Sequence, residues 1–143
     1  MPERLHDRYG LPLTARSPTA IEHYLKGIDQ FLAQDIGTEE SLAQAVEADE
    51  AFALAHAAVA LIQQFQGASG EAKLSVAFAR ARAAGISRRE RRHVDVIAAF
   101  VDGDRPHALA LVCEHLEEFP RDALLLFLRG FLLARSGRQD WQQ

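Results

Sequence analysis

Apolar residues recur at three- and four-residue steps along most of the chain, a spacing that is typical of amphipathic α-helices. The first such run, from Ile21 to Leu32, follows Ser17-Pro18, a helix N-cap with proline at the first helical position. Ser87 and Glu90 have the spacing of a capping box at a later start. We predict about seven helices with short connections, no strand, and an arm without helical period over residues 1–16.

Two helix boundaries follow from single residues. Asp49 or Glu50 is predicted to open the third helix, because acidic residues favour helix N-termini. Ser136-Gly137 is predicted to end the seventh helix, because glycine commonly follows a helix C-terminus.

The shorter helices repeat one pattern of small, large and small residues. Ala72, Val76 and Ala79 carry it, and it returns 36 residues later at Ala108, Val112 and His115 and 34 residues earlier at Thr38, Leu42 and Ala45. Small side chains let two antiparallel helices approach, and the larger one fills the space between them. Helix pairs that cannot bury both faces stack into a solenoid. We therefore predict an all-α solenoid over residues 17–143, with pairs at about 17–48, 49–85 and 87–119 and an unpaired helix at 121–136.

This spacing resembles that of tetratricopeptide repeats. Two segments are more narrowly similar to the N-terminal part of the tetratricopeptide repeat protein 38 family: Asp7-x-x-Gly10-Leu-Pro-Leu-Thr14, and Arg88-Arg-Glu-Arg-Arg-His-Val94 with the later Phe119-Pro-Arg-Asp-Ala123. The resemblance implies a helical-repeat protein without an established catalytic motif, and it assigns no activity to single residues. His115 stands where such a repeat usually has a small residue, which predicts a wider third pair.

Composition supports helices, with 25 Ala and 18 Leu against 16 Val, Ile and Thr together. The net charge of −4 excludes a strongly basic nucleic-acid binder. A single cysteine, Cys113, excludes an intramolecular disulfide and a Cys-rich zinc site. No apolar run reaches the ~20 residues that a membrane helix needs, and the first residues do not resemble a secretion signal. We expect a cytoplasmic protein.

No arrangement of residues points to catalysis. The six histidines contain no pair at the i, i+4 spacing of a helical zinc site, and no glycine-rich phosphate loop or nucleophile motif is present. We therefore expect no enzyme activity, no metal and no cofactor.

Charge is distributed unevenly. Eight acidic residues and one basic residue lie between Glu22 and Glu50, whereas six arginines and one acidic residue lie between Arg80 and Arg92. Four of these arginines stand in one first helical turn, where the helix dipole disfavours cations: Arg88, Arg89, Arg91 and Arg92. They predict acidic partners, which are either carboxylates of this chain or an anionic ligand or protein surface.

The first helix of each pair is expected to line a concave, largely apolar groove. Its predicted lining residues are Leu61, Gln64, His93, Ile97, Phe100, Phe127 and Phe131. An apolar groove favours a protein or peptide partner, although the same side chains are also what a core between repeats would contain. Because residues 123–134 are apolar nearly all round, self-association through the 121–136 helix is an alternative.

The function that these observations predict is non-catalytic protein–protein interaction as a scaffold or adaptor. The alternative is that the chain is the N-terminal repeat segment of a larger enzyme or regulatory protein whose active part lies elsewhere.

Overall fold

The structure is a computed structural model that describes the backbone of residues 3–141 and the side chains of residues 6–135. The helices in this range are α1 (Pro18–Leu32), α2 (Thr38–Ala48), α3 (Ala53–Phe65), α4 (Ser69–Ala81), α5 (Arg88–Val101), α6 (Arg105–Glu118) and α7 (Ala123–Trp141). α1 packs on α2, α3 on α4 and α5 on α6, and successive pairs pack on one another. The prediction of an all-α fold built from helix pairs is therefore confirmed.

The repeated positions explain how the pairs pack. All of them are buried on the second helix of each pair: Thr38, Leu42 and Ala45 on α2, Ala72, Val76 and Ala79 on α4, and Ala108, Val112 and His115 on α6. At the α1–α2 contact, a Cβ atom on Gly27 would lie 2.9 Å from Cδ2 of Leu42, so only glycine fits without a shift. The α5–α6 pair is less closely packed than the α1–α2 and α3–α4 pairs, as the larger His115 side chain predicts.

The N-terminal arm contains a β-hairpin, so the prediction that the chain has no strand is wrong. β1 (Glu3–His6) pairs antiparallel with β2 (Pro12–Ala15), with Leu5 opposite Leu13. Asp7 begins the loop between them, and its Oδ1 accepts hydrogen bonds from the backbone N–H groups of Tyr9 (2.8 Å) and Leu11 (3.0 Å). Residues 13–15 of β2 are all buried, so the strand lacks the alternation that would reveal it in the sequence.

The predicted helix starts at Ser17 and Ser87 are confirmed by side-chain hydrogen bonds to the first turn of each helix, and Asp104 caps α6 in the same way. The predicted start of α3 at Asp49 or Glu50 is wrong, because α3 begins at Ala53. The Asp49 carboxylate instead accepts hydrogen bonds from the backbone N–H groups of Arg16 and Ala51, which holds residues 49–52 in a turn.

α7 extends to Trp141, beyond the predicted end at Ser136-Gly137, since a glycine inside a helix costs only about 1 kcal/mol. Met1, Pro2, Gln142 and Gln143 lie outside the described residues. α7 packs on α6 and also contacts α1, and it buries Leu124, Leu125, Leu128 and Leu132 in the common core. Within the described residues, no helix is long and apolar enough to cross a membrane.

Candidate functional site

The residues predicted to line the inner groove lie mostly in the core. Leu61, His93 and Ile97 are fully buried, and Phe100 is buried as well. A partner on the surface has no access to these four side chains. The prediction that they line an open groove is therefore wrong. The other predicted lining residues, Gln64, Phe127 and Phe131, are half-buried.

Five phenylalanines fill the space where the inner groove was expected. Their rings come from α1, α3, α5 and α7 and lie 4.9 to 6.1 Å apart between centroids: Phe31, Phe65, Phe100, Phe127 and Phe131. Phe65 lies in the centre and contacts the other four rings. The apolar inner face of α7 is therefore largely covered within the chain. Leu126 and Leu133 stay exposed on its outer face, and self-association through them stays a prediction.

The arginines at the start of α5 do not form one continuous exposed ridge. Arg88 lies 3.1 Å from the Glu118 carboxylate, and Arg92 lies 3.3 Å from Glu114 and 3.0 Å from Glu118. Arg91 is exposed and has no ion pair in the part of the chain whose side chains are described. The acidic partners of Arg88 and Arg92 are thus carboxylates of α6.

Arg89 points into the protein and joins a buried polar cluster that also contains Asp7, His93, His115 and Asp122. One oxygen, Oδ2 of Asp122, accepts from Nε of Arg89 at 3.2 Å, from Nδ1 of His93 at 2.9 Å and from Nε2 of His115 at 2.9 Å. Nη2 of Arg89 lies 3.4 Å from the Asp7 carboxylate. The four side chains of Arg89, His93, His115 and Asp122 are at most 3% exposed.

Burial and neighbouring charges together determine the protonation of this cluster. Burial lowers the pKa of His93, more strongly than the nearby Asp122 carboxylate raises it. Burial alone would raise the pKa of Asp122, but His93, His115 and Arg89 hold it well below its usual range. Among the described residues, Nε2 of His93 and Nδ1 of His115 have no hydrogen-bond partner. With its lowered pKa, His93 is neutral at pH 7 and donates through Nδ1 to an ionised Asp122. Burial works against the charge of Arg89, yet Asp122 and Asp7 keep its pKa above the ordinary value.

A second buried carboxylate fixes the hairpin to α5. Glu90 is fully buried and accepts hydrogen bonds from the backbone N–H (2.8 Å) and the hydroxyl (2.6 Å) of Thr14. The same carboxylate accepts from the backbone N–H of Ser87 at 3.2 Å, which completes the predicted capping box. Nη1 of Arg89 also donates to the carbonyl oxygen of Pro12 at 3.1 Å. The two segments that carry the family resemblance therefore meet at one place.

The chemistry of the buried polar cluster is limited by its enclosure. A carboxylate beside two imidazoles has the composition of an acid–base site, but a catalytic base must lie within hydrogen-bond reach of a substrate. The cavity next to Arg89, Asp122 and Tyr24 has a volume of about 20 Å³, enough for about one water molecule. Within the described residues, no group of three or more histidine, cysteine, aspartate or glutamate side chains is arranged so that it could hold a metal ion. The cluster joins the hairpin loop, α5, α6 and the residue that precedes α7.

A large open cavity lies elsewhere, between α2 and α4, and we call it the α2–α4 groove. Its volume is about 770 Å³. It is lined by Glu39, Glu40, Leu42, Ala43 and Val46 of α2, by His56, Val59, Ile62 and Gln63 of α3 with the adjoining Gln66, and by Glu71, Ser75 and Phe78 of α4. Val59 and Ile62 of α3 form the apolar part of its floor, beside the polar His56 and Gln63. Its carboxylates come from the first turns of α2 and α4.

A second cavity of about 550 Å³ continues the α2–α4 groove around the start of α2. The two cavities share Glu39, Glu40, Ile62 and Gln66. Ile36 lies in the second cavity and is 88% exposed, while Phe78 in the first is 50% exposed. No motif or repeat position in the sequence marks this surface. The excess of acidic residues between Glu22 and Glu50 was the signal that pointed toward it.

The fold defines the class of the protein as an all-α helical repeat. Comparison with models of known protein families finds no match, and comparison with curated protein sequences finds none either. The resemblance to tetratricopeptide repeats therefore stays a prediction.

Proposed function

We propose that this chain is a non-catalytic helical-repeat protein that binds other proteins as a scaffold or adaptor. The observation that carries the proposal is the α2–α4 groove, whose volume of about 770 Å³ combines an apolar floor with a large exposed aromatic side chain at Phe78. Exposed apolar clefts with a polar edge are typical of surfaces that bind proteins or peptides.

The proposal moves the binding surface away from the inner groove that the repeat spacing predicts. On the inner side, Leu61, His93, Ile97 and Phe100 are buried, and the phenylalanine rings of α7 pack against α1 and α3. The α2–α4 groove instead leaves its floor accessible. The enclosure of the Asp122 carboxylate and its two histidines supports a role that needs no catalysis.

Two related predictions stay untested. A tetratricopeptide-repeat identity and a cytoplasmic location both fit a protein-binding role. The alternative that the chain is the N-terminal repeat segment of a larger enzyme or regulatory protein also stays a prediction, and the α2–α4 groove would then serve as a binding surface of that protein.

Selection of ligands from a random peptide library tests the proposal. The chain is immobilised, bound peptides are enriched, and each is then measured against two variants that retain the parent's circular dichroism spectrum. Phe78→Asp changes the groove, whereas Leu126→Asp changes an exposed apolar residue on α7 and serves as the matched control. We expect selected peptides to lose binding to Phe78→Asp and to keep binding to Leu126→Asp. Peptides that bind both variants like the parent, or no enrichment at all, would count against the groove.

A further inference from the structure

We propose that the occupant of the α2–α4 groove is a basic amphipathic helix of about three turns. Its apolar side chains lie on the α3 floor, and its lysines or arginines lie at the end formed by the first turns of α2 and α4. This inference rests on the proposed function, and the experiment below separates failure of the one from failure of the other.

The shape of the groove suits a helix. α2 has 11 residues and α4 has 13, which at 1.5 Å per residue makes the walls about 16–20 Å long. A helix that lies along them presents about 11 residues, with apolar anchors at i, i+3 or i+4, and i+7. Val46, Val59 and Ile62 are half-buried in the groove lining, so apolar anchors of a partner would complete their burial.

The acidic side chains of the groove favour a partner with cationic residues. Glu39, Glu40 and Glu71 line it, and Asp35 lines the adjoining cavity. Among the described side chains that line the two cavities, none is a lysine or an arginine. Arg82 lies beyond Phe78 at the opposite end and pairs with Glu50 at 2.9 Å. Because opposite charges across an interface favour association, a bound helix places its cationic residues at the carboxylate end.

The carboxylates are favourably placed within their own helices, and two of them are free to bind a partner. Glu39, Glu40 and Glu71 stand in first helical turns, where the helix dipole favours negative charge. Glu39 accepts a hydrogen bond from Gln66. Glu40 and Glu71 are exposed and take part in no ion pair or side-chain hydrogen bond in the described part of the chain. Ile36, 88% exposed beside them, adds an apolar contact that only a partner would cover.

The test compares three fluorescently labelled peptides that share one amphipathic pattern of leucines. The polar positions are lysine in the first peptide, glutamate in the second and glutamine in the third, and binding to the full chain is measured by fluorescence anisotropy. We expect the lysine peptide to bind most tightly, the glutamate peptide least tightly, and the preference to shrink between about 0.05 and 0.5 M NaCl because salt screens exposed charges.

Variants of the chain locate the contacts. The double variant Glu40→Gln with Glu71→Gln is expected to bind the lysine peptide about five-fold more weakly than the parent chain, because exposed charge pairs are of modest strength. Phe78→Ala is expected to bind the lysine peptide about ten-fold more weakly than the parent chain, because it removes an aromatic side chain that would anchor the peptide. Glu117→Gln removes an exposed carboxylate of α6 and serves as the matched control, with no change expected.

The outcomes distinguish the two proposals. If the three peptides bind equally and Phe78→Ala weakens all of them, the groove binds proteins but the charge inference is wrong. If no peptide binds, or Phe78→Ala binds the lysine peptide like the parent, both proposals are contradicted. If sedimentation shows a dimer of the parent chain that Glu40→Gln with Glu71→Gln dissociates, a second copy occupies the groove and the inference of a separate helical partner is overturned.

Discussion

Replacing Asp122 with alanine removes an acceptor shared by three buried donors. Nε of Arg89 lies 3.2 Å from its Oδ2, and the nearest nitrogens of His93 and His115 each lie 2.9 Å from it. Arg89 is 3% exposed, so its charge stays in the core when the carboxylate is gone. Removal of one partner from a buried ion pair costs about 3–5 kcal/mol. Because Asp7 stays 3.4 Å from the guanidinium, we expect a loss near the lower end, about 3 kcal/mol.

Urea unfolding followed by far-UV circular dichroism measures this loss, since the free energy of unfolding falls linearly with urea. A loss of about 3 kcal/mol is a large share of the 5–15 kcal/mol that stabilises a typical domain. Asp102→Ala, an exposed aspartate after α5, is the matched control and is expected to change the free energy by less than about 0.5 kcal/mol.

A double variant separates the charge effect from the loss of packing. Arg89→Met combined with Asp122→Leu removes both charges, and replacing a complete buried ion pair by apolar side chains is often nearly neutral. We therefore expect the double variant to be more stable than Asp122→Ala alone. If Asp122→Ala lost less than about 1 kcal/mol, or if the double variant were no more stable than Asp122→Ala, the buried polar cluster would not hold the helices together as described.

Three further predictions follow from the core. Burial lowers the pKa of His93 below its usual 6.5, so below that pH the unfolded chain binds a proton that the folded chain does not. The free energy of unfolding therefore falls as the pH drops below about 6.5, by up to about 1.4 kcal/mol per pH unit. The Asp122 carboxylate, with a pKa well below 3.8, adds a further loss as the pH drops below about 4. Urea midpoints that stay constant from pH 7 down to about 4 would contradict the His93 prediction, and midpoints that stay constant below about pH 4 would contradict the Asp122 prediction. Glu90→Ala is expected to speed hydrogen exchange in residues 6–15 far more than in α3, and equal rates in parent and variant would show that Glu90 does not hold the hairpin. Leu125→Ala, at a fully buried position of α7, is expected to lower the free energy of unfolding by about 2–5 kcal/mol. Leu126→Ala, at an exposed position, is expected to lower it by less than about 1 kcal/mol. Equal urea midpoints for the two variants would mean that α7 is not part of the core.

The helices and their repeat could be predicted because their signals are local. Ser17, Ser87 and Asp104 bond to backbone groups three residues away in the sequence, and each repeat position is buried by the helix packed against it. A three- to four-residue period is thus sufficient to place α1 to α6.

The hairpin and the buried polar cluster could not be predicted because their partners are remote in the chain. Thr14 and Glu90 are 76 residues apart, and Asp7 and Arg89 are 82 residues apart. Arg89 belongs to a run of arginines that reads as one exposed surface, and only tertiary packing shows that this one points inward. The unfavourable position of these cations in a first helical turn was a real signal of acidic partners, which for Arg89 are Asp122 and Asp7.

An NMR titration of the isotopically labelled chain with the lysine peptide shows directly whether a partner binds the α2–α4 groove. If the α2–α4 groove is the binding surface, amide signals of groove residues such as Glu40, Val59 and Phe78 shift with the peptide, while those of Phe127 and Phe131 stay unchanged. Shifts confined to the inner face around Phe127 and Phe131, with the groove signals unmoved, would contradict it.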